Sequence, residues 1–293
     1  MTRPIVGPVV GAEFLDRLLA DPAVHLVVAD VRWYLDGRDG RAAFAERHIP
    51  GAVWVDLDAH LAAHGAPATE GRHPLPDPAV FAASMASLGI GDDTVVVAYD
   101  DTGGLSAGRL VVMLRMLGRA AALLDGGLGA WVAAGRTTAD DVAGVERPRG
   151  GRVVVFTPTP WPGDRLASAD DAARQGAEGR PLIDARPLER FTGEVAVIDP
   201  RPGHIPGARS APWSAVLVEG ARFRPVDELV AYYSGLGVQA GTEVIASCGS
   251  GVSACMNVLA MEHAGFAPPR LFVASWSGWA SDPARPAETG PGR

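Results

Sequence analysis

Glu243–Cys255, "EVIASCGSGVSAC", is the stretch that decides how this chain folds. Glu243–Ala246 has the β-branched run of a short buried strand, and from Ser253 onward "SACMNVLAMEHAG" has helical apolar spacing. The six residues Cys248–Ser253 form a glycine-bearing loop between them, so Cys248 stands where a strand hands over to a helix. Strands that alternate with helices in this way build a mostly parallel sheet covered by helices.

The pattern is written twice. The first half runs "VVADVR", "HIPGAVWVDL", "LGIGDDTVVVAYDD" and "LLDGGLGAW"; the second runs "PLIDAR", "GHIPGARSAPW", "LGVQAGTEVIASC" and "LFVASWSGW". Asp30 and His48 are 18 residues apart, and Asp184 and His204 are 20 apart. The spacing predicts strands near 26–31, 53–56, 94–99 and 121–124, with helices near 78–88, 106–117 and 128–134. The expected organisation is an α/β chain of two tandem domains, 1–137 and 166–285. A Pro- and Gly-rich linker, 138–165, with room for one strand, joins them, and a poorly ordered tail follows at 286–293.

Composition narrows the partners. The chain has 293 residues, 47% apolar and 6% aromatic, as suits an aliphatic-cored α/β protein. Its 26 Lys plus Arg against 34 Asp plus Glu give −8, which argues against nucleic acid or an anionic membrane as partner. No apolar run approaches the roughly 18 residues of a membrane span, and the first residues lack a signal-peptide pattern, so the expected compartment is the cytoplasm. Two cysteines cannot build a disulfide framework. Scattered histidines without Cys-x2-Cys predict no metal, and nothing calls for an organic cofactor.

The repeat also separates scaffold from chemistry. Asp30/Asp184, Arg32/Arg186 and His48/His204 occur in both copies, as does the Ile-Pro-Gly-Ala after each His, and they read as buried pairs and a fixed turn. Ser106-Ala107 and Ser253-Ala254 read as helix starts. Only the second copy has the thiol: the position of Cys248 is taken by Asp100 or Asp101 in the first. A free cysteine is only about 3% thiolate at pH 7. Loop amides turned inward by Gly249 and Gly251, with the positive end of the following helix, would stabilise the thiolate. Cys255, within the helix, reads as core. The sixth residue after Cys248 is Ala254 rather than the phosphate-clamping arginine of phosphatase loops, and no Gly-x-Ser-x-Gly hydrolase elbow is present.

The tandem copies, the "DAR…RF…GHIPGA" run and the "CGSGVSA" loop resemble the two-domain rhodanese superfamily of sulfurtransferases over about residues 8–285. "CGSGVS" is similar to the loop of its mercaptopyruvate-type members, Cys-Gly-Ser-Gly-Val-Thr, with Ser253 for Thr. The thiosulfate-type loop, Cys-Arg-Lys-Gly-Val-Thr, carries basic residues that are absent here. The resemblance implies that Cys248 is a nucleophile that becomes a persulfide, held by Gly249, Gly251, Val252 and Ser253. It implies that Arg190 in "LERFTGE" binds the donor carboxylate; in the first copy that position is Asp36, so Arg190 is not scaffold. A second carboxylate-binding arginine is expected a few residues on, where "EVAVIDPRPGHIPG" is shortened and offers Arg201. Asp58 in "VDLDAHL" and His73 in "GRHPLP" are implied to join Ser250 in a proton relay. The late "ASWSGW" has Gly278 where the family commonly has Glu.

The expected reaction moves sulfane sulfur from 3-mercaptopyruvate to cyanide, a small thiol or thioredoxin. The alternatives are a thiosulfate:cyanide sulfurtransferase and, outside enzymes, a sulfur-carrier module loaded by another protein.

Overall fold

Val95–Tyr99 is buried at all of its positions, as a central parallel strand covered on both faces must be. In the computed structural model, which describes residues 6–140, 154–196 and 198–292, this strand pairs with Leu26–Asp30 on one side and Ala121–Leu124 on the other. Val53–Trp54 and Val9–Val10 add the two edges, and every pairing in this five-stranded sheet is parallel. Val9–Val10 and the helices Ala12–Ala20 and Gly40–Glu46 go beyond the elements expected from the sequence. The first of these helices buries Ala12, Leu15 and Leu18 on one face, and the second is capped by the Asp39 carboxylate, which accepts from the Arg41 and Ala42 amides.

The second sheet has four parallel strands, in the order Arg270–Leu271, Ile245–Ser247, Leu182–Asp184 and Arg209–Ser210. Its core gathers Leu182, Phe191, Ile205, Ile245, Phe272, Trp276 and Trp279. The helix after the thiol loop, Ala254–His263, is buried along nearly its whole length.

The repeated residues form the same scaffold in each unit. Arg32 grips Asp30 through two nitrogens, and Arg186 does the same with Asp184, all four side chains being buried. Each histidine donates from Nδ1 to a carbonyl at 2.8 Å, His48 to Phe44 and His204 to Phe191, and stacks on that phenylalanine.

The chain does not divide at a single point. One compact unit comprises Met1–Ala62, Pro76–Trp161 and Glu219–Arg222; the other comprises Ala63–Leu75, Pro162–Val218 and Phe223–Arg293. Ala63–Leu75 thus belongs to the unit of the second copy, and two glycines explain its fit. A Cβ on Gly71 (φ +81°) would lie 2.5 Å from the Ala274 oxygen, and one on Gly278 would lie 2.5 Å from the Thr69 oxygen. At Gly278, where the resemblance implied Glu, backbone sits where a side chain would begin.

Two other expectations meet the structure differently. Of the linker, 141–153 lie outside the described residues; the described remainder holds an isolated bridge from Ala139 to His48 and the 3-10 turn Gly163–Arg165, but no strand. The tail is bonded rather than loose. Glu288 exchanges backbone bonds with His204, and its carboxylate accepts from the Gly207 amide at 2.8 Å.

Candidate active site

The strand Ile245–Ser247 delivers Cys248 directly into the loop, and the thiol is 1% exposed. Gly251, at φ +75°, donates its N–H to Cys248 Sγ at 3.1 Å. The backbone on the other side of the thiol is pinned by the helix Ser275–Ser281. Two of its first amides, on Trp276 and Ser277, donate at 2.9 Å to the carbonyls of Cys248 and Gly249. A helix start has spare donors, and here they hold the loop.

Ser275 was not singled out from the sequence. Its Oγ accepts from the Cys248 amide at 3.0 Å, donates to the Phe272 carbonyl at 2.8 Å and lies 3.9 Å from Cys248 Sγ. Its φ is +51°, a left-handed conformation that costs a serine roughly 1 kcal/mol or more. In the first unit Gly127, four residues before Trp131 as Ser275 is four before Trp279, adopts φ +53° without that strain. The hydroxyl beside the thiol is what the strained serine provides.

Ser250 reaches His73: the hydroxyl and the imidazole Nδ1 are 2.8 Å apart and buried. His73 comes from Ala63–Leu75, so it shares a unit with the thiol although it precedes Ser250 by 177 residues. Asp58 lies in the other unit, where its carboxylate accepts from Trp33 Nε1 at 2.9 Å. Val252 is buried in the loop. Ser253 starts the helix, as does Ser106 in the first unit, but neither hydroxyl caps it. Cys255 is buried, and its thiol donates to the Gly251 carbonyl at 3.5 Å.

Two guanidinium groups stand over Gly249. A Cβ at that position would be 2.9 Å from Arg190 Nη2 and 3.0 Å from Arg72 Nη2. Arg190 is the expected one. Arg72, beside His73 in "GRHPLP", went unnoticed, because only the placement of Ala63–Leu75 brings it here. Its backbone amide donates to Ser277 Oγ at 3.1 Å and its Nη1 to the Ile198 carbonyl at 3.0 Å. Burial holds its pKa below the ordinary arginine range, with Asp199 and Cys248 pulling the other way.

Arg201, the other arginine expected to hold the donor, donates to the carbonyls of Asp282 and Arg285 and lies over the Trp276 ring. In that shortened segment the charged group turned to Arg190 is a carboxylate, Asp199, 1% exposed. It accepts from Arg190 Nε at 2.9 Å and Nη2 at 2.6 Å.

The first unit shows why its own loop does no such chemistry. Asp100 follows the strand Val95–Tyr99 as Cys248 follows Ile245–Ser247, which makes it the counterpart of the thiol. Its carboxylate accepts from the amides of Thr102, Gly104, Ser106 and Ala107 at 2.7–3.0 Å. The nest is filled by a carboxyl group of its own, whose pKa burial raises against the pull of those amides. Among the described residues no group of His, Cys, Asp and Glu is arranged to hold a metal ion. Among the same residues no helix is long and apolar enough to cross a membrane.

A family model described as a rhodanese-like domain matches residues 11–134 and again 168–282. A Pseudomonas aeruginosa protein named "Probable 3-mercaptopyruvate sulfurtransferase" is 41% identical over 283 residues, covering 95% of this chain and 97% of its own length. A Mycobacterium tuberculosis protein, provisionally named thiosulfate sulfurtransferase SseB, is 40% identical and covers 96% of each chain. The crystal structure of SseA from Escherichia coli was solved under a description of the rhodanese fold and the catalytic mechanism of 3-mercaptopyruvate sulfotransferases. It is 33% identical, matches with a TM-score of 0.76, and the match covers 92% of this chain and 99% of that one.

Proposed function

The chain belongs to the rhodanese family and is a sulfurtransferase, and from that premise we propose that 3-mercaptopyruvate is its donor and Cys248 its sulfur carrier. One observation carries the reading: Cys248, the Ser250–His73 pair and the guanidinium groups of Arg190 and Arg72 converge on one glycine loop.

In the first step the Cys248 thiolate attacks the donor sulfur, and the bond from that sulfur to C3 breaks. The electron pair leaves as the pyruvate enolate. The proton of the donor thiol ends on C3, so the products are pyruvate and an anionic Cys248 persulfide. Arg190 holds the donor carboxylate. Ser250, oriented by His73, polarises the carbonyl and relays the proton. The Gly251 amide and the rest of the loop, Gly249, Val252 and Ser253, stabilise the anionic sulfur. In the second step cyanide, a small thiol or thioredoxin attacks the outer sulfur, the S–S bond breaks, and the Cys248 thiolate returns. Neither step calls on a metal or an organic cofactor, and the setting is the cytoplasm.

A basic loop would favour the thiosulfate dianion; here the cations stand on side chains outside the loop, where a carboxylate several bonds from the sulfur can reach them. Steady-state kcat/KM for the two donors is the test, and 3-mercaptopyruvate is expected to be the better one. Arg190→Gly should lower its kcat/KM by roughly 10- to 150-fold, the worth of a charge-assisted pair. A change below about twofold in a folded Arg190→Gly protein would remove Arg190 from the donor site.

A further inference from the structure

The carboxylate of Asp199 is ringed by three arginines. Arg190 holds it bidentately, Arg186 Nη1 lies 3.5 Å from Oδ2, and Arg72 Nη1 lies 3.7 Å from Oδ1. Arg186 is already taken by Asp184, through a bidentate pair whose two side chains are each 1% exposed. That leaves Arg72 and Arg190, the two cations over Gly249, shared with one carboxylate. Two positive charges against one negative leave a single positive charge among these side chains, and the Cys248 thiolate opposes the charge of either donor. Arg190 Nη2 is the link, since this one nitrogen both bonds Asp199 and stands over the loop.

We propose that Asp199 is a specificity-determining residue that sets the charge of the donor this site accepts, matching it to a monoanion rather than a dianion. The inference rests on the reading that the guanidinium groups over Gly249 receive the donor. Its physics is a difference in scaling. The attraction of an anion to a fixed charge grows in proportion to its own charge, whereas the cost of taking it out of water grows with the square. One uncompensated cation offsets the desolvation of a carboxylate. It does not offset that of thiosulfate. A family arginine in this segment would add a cation, so the carboxylate at 199 reverses the sign of the segment's contribution. Its almost complete burial keeps the charge unscreened by solvent salt.

The experiment measures kcat/KM for thiosulfate and 3-mercaptopyruvate in wild type, Asp199→Asn and Asp199→Glu. Asp199→Asn frees a second positive charge, and the thiosulfate-to-mercaptopyruvate ratio should rise about tenfold. Asp199→Glu should return the ratio to near the wild-type value. A purely structural role, anchoring Arg190, would lower both donors together and leave the ratio where it was; that result overturns the proposal. Wild type supplies a readout that needs no variant to fold: pyruvate, a monoanion, should inhibit at least as tightly as sulfate, a dianion. Sulfate binding tighter by about tenfold would overturn the charge rule. A wild type that favours thiosulfate removes the mercaptopyruvate reading, and the shift in the ratio still decides the role of Asp199. Turnover of neither donor by wild type overturns both.

Discussion

At the level of single residues, the two cysteines differ in what surrounds them. Cys248 has an amide donor at 3.1 Å and a hydroxyl at 3.9 Å, whereas Cys255 lies inside a buried helix and donates to a carbonyl of the loop. Cys248→Ser should therefore abolish sulfur transfer, and Cys255→Ser should leave most of it. Incubation with donor should add one sulfur, ~32 Da, at Cys248, as single-thiol covalent catalysis requires. Peptide mapping that finds the sulfur on Cys255 would overturn the assignment. Cys248 and Arg190 stand out in the sequence because the repeat supplies a comparison in which both are missing. Ser275 was readable by the same device, a serine in one copy facing Gly127 in the other, but its meaning needs φ. Arg72 and Asp199 were not readable. Their positions beside Arg190 come from tertiary placement, which no local pattern encodes.

Strands were legible where β-branched residues are dense, whereas the nine-residue helix Ala12–Ala20 was not anticipated. The five-residue strands Leu26–Asp30 and Val95–Tyr99 carry enough β-branched residues to be seen, whereas Val9–Val10 and Arg209–Ser210 have two residues each, too few for any period. Helix Ala169–Ala177 shows what fixes an element's start. Ser168 and Asp171 form a reciprocal capping box, and Asp171 also pairs with Arg270 at 2.7 Å. The Ser168 amide leads, with the Ser168 hydroxyl and Arg270 behind it, in lowering the Asp171 carboxyl pKa to about 2. A carboxyl whose folded pKa is depressed stabilises the fold while ionised. Its contribution is therefore complete above the unfolded value of 3.8 and fades as pH falls toward 2. Asp171→Asn should cost about 1–2 kcal/mol at pH 7, allowing for solvent screening, and almost nothing near pH 2. Urea midpoints measured across pH test this. A cost that stays constant down to pH 2 would show that the amide and the shape of the side chain matter, not its charge.

For the whole molecule, the twofold repeat was plain in the sequence, but the exchange of segments between its copies was not. Ala63–Leu75 lies in the first copy by order and in the second unit by contact, carrying Arg72 and His73 with it. A fragment of residues 162–293 keeps the thiol and loses both. Its turnover should fall by at least about 100-fold, the worth of a positioned proton carrier. Full turnover in a fragment shown to be folded by circular dichroism would refute this.

That exchange also imposes an order on synthesis. Arg72 donates to a serine 205 residues further along, and at about 5–20 residues per second the ribosome needs roughly 10–40 s to make that stretch. The first unit can close with Ala63–Leu75 looped out, since its own chain resumes at Pro76. The looped segment, "AHGAPATEGRHPL", has Leu75 as its one large apolar residue and two each of Gly and Pro, so it can wait in water without seeding aggregation. Contacts of such long sequence separation are late events in folding. The thiol is thus translated into a chain that has already been holding its histidine ready, and the capacity for sulfur chemistry waits until the partners of Ala63–Leu75, Ser277 among them, have been made.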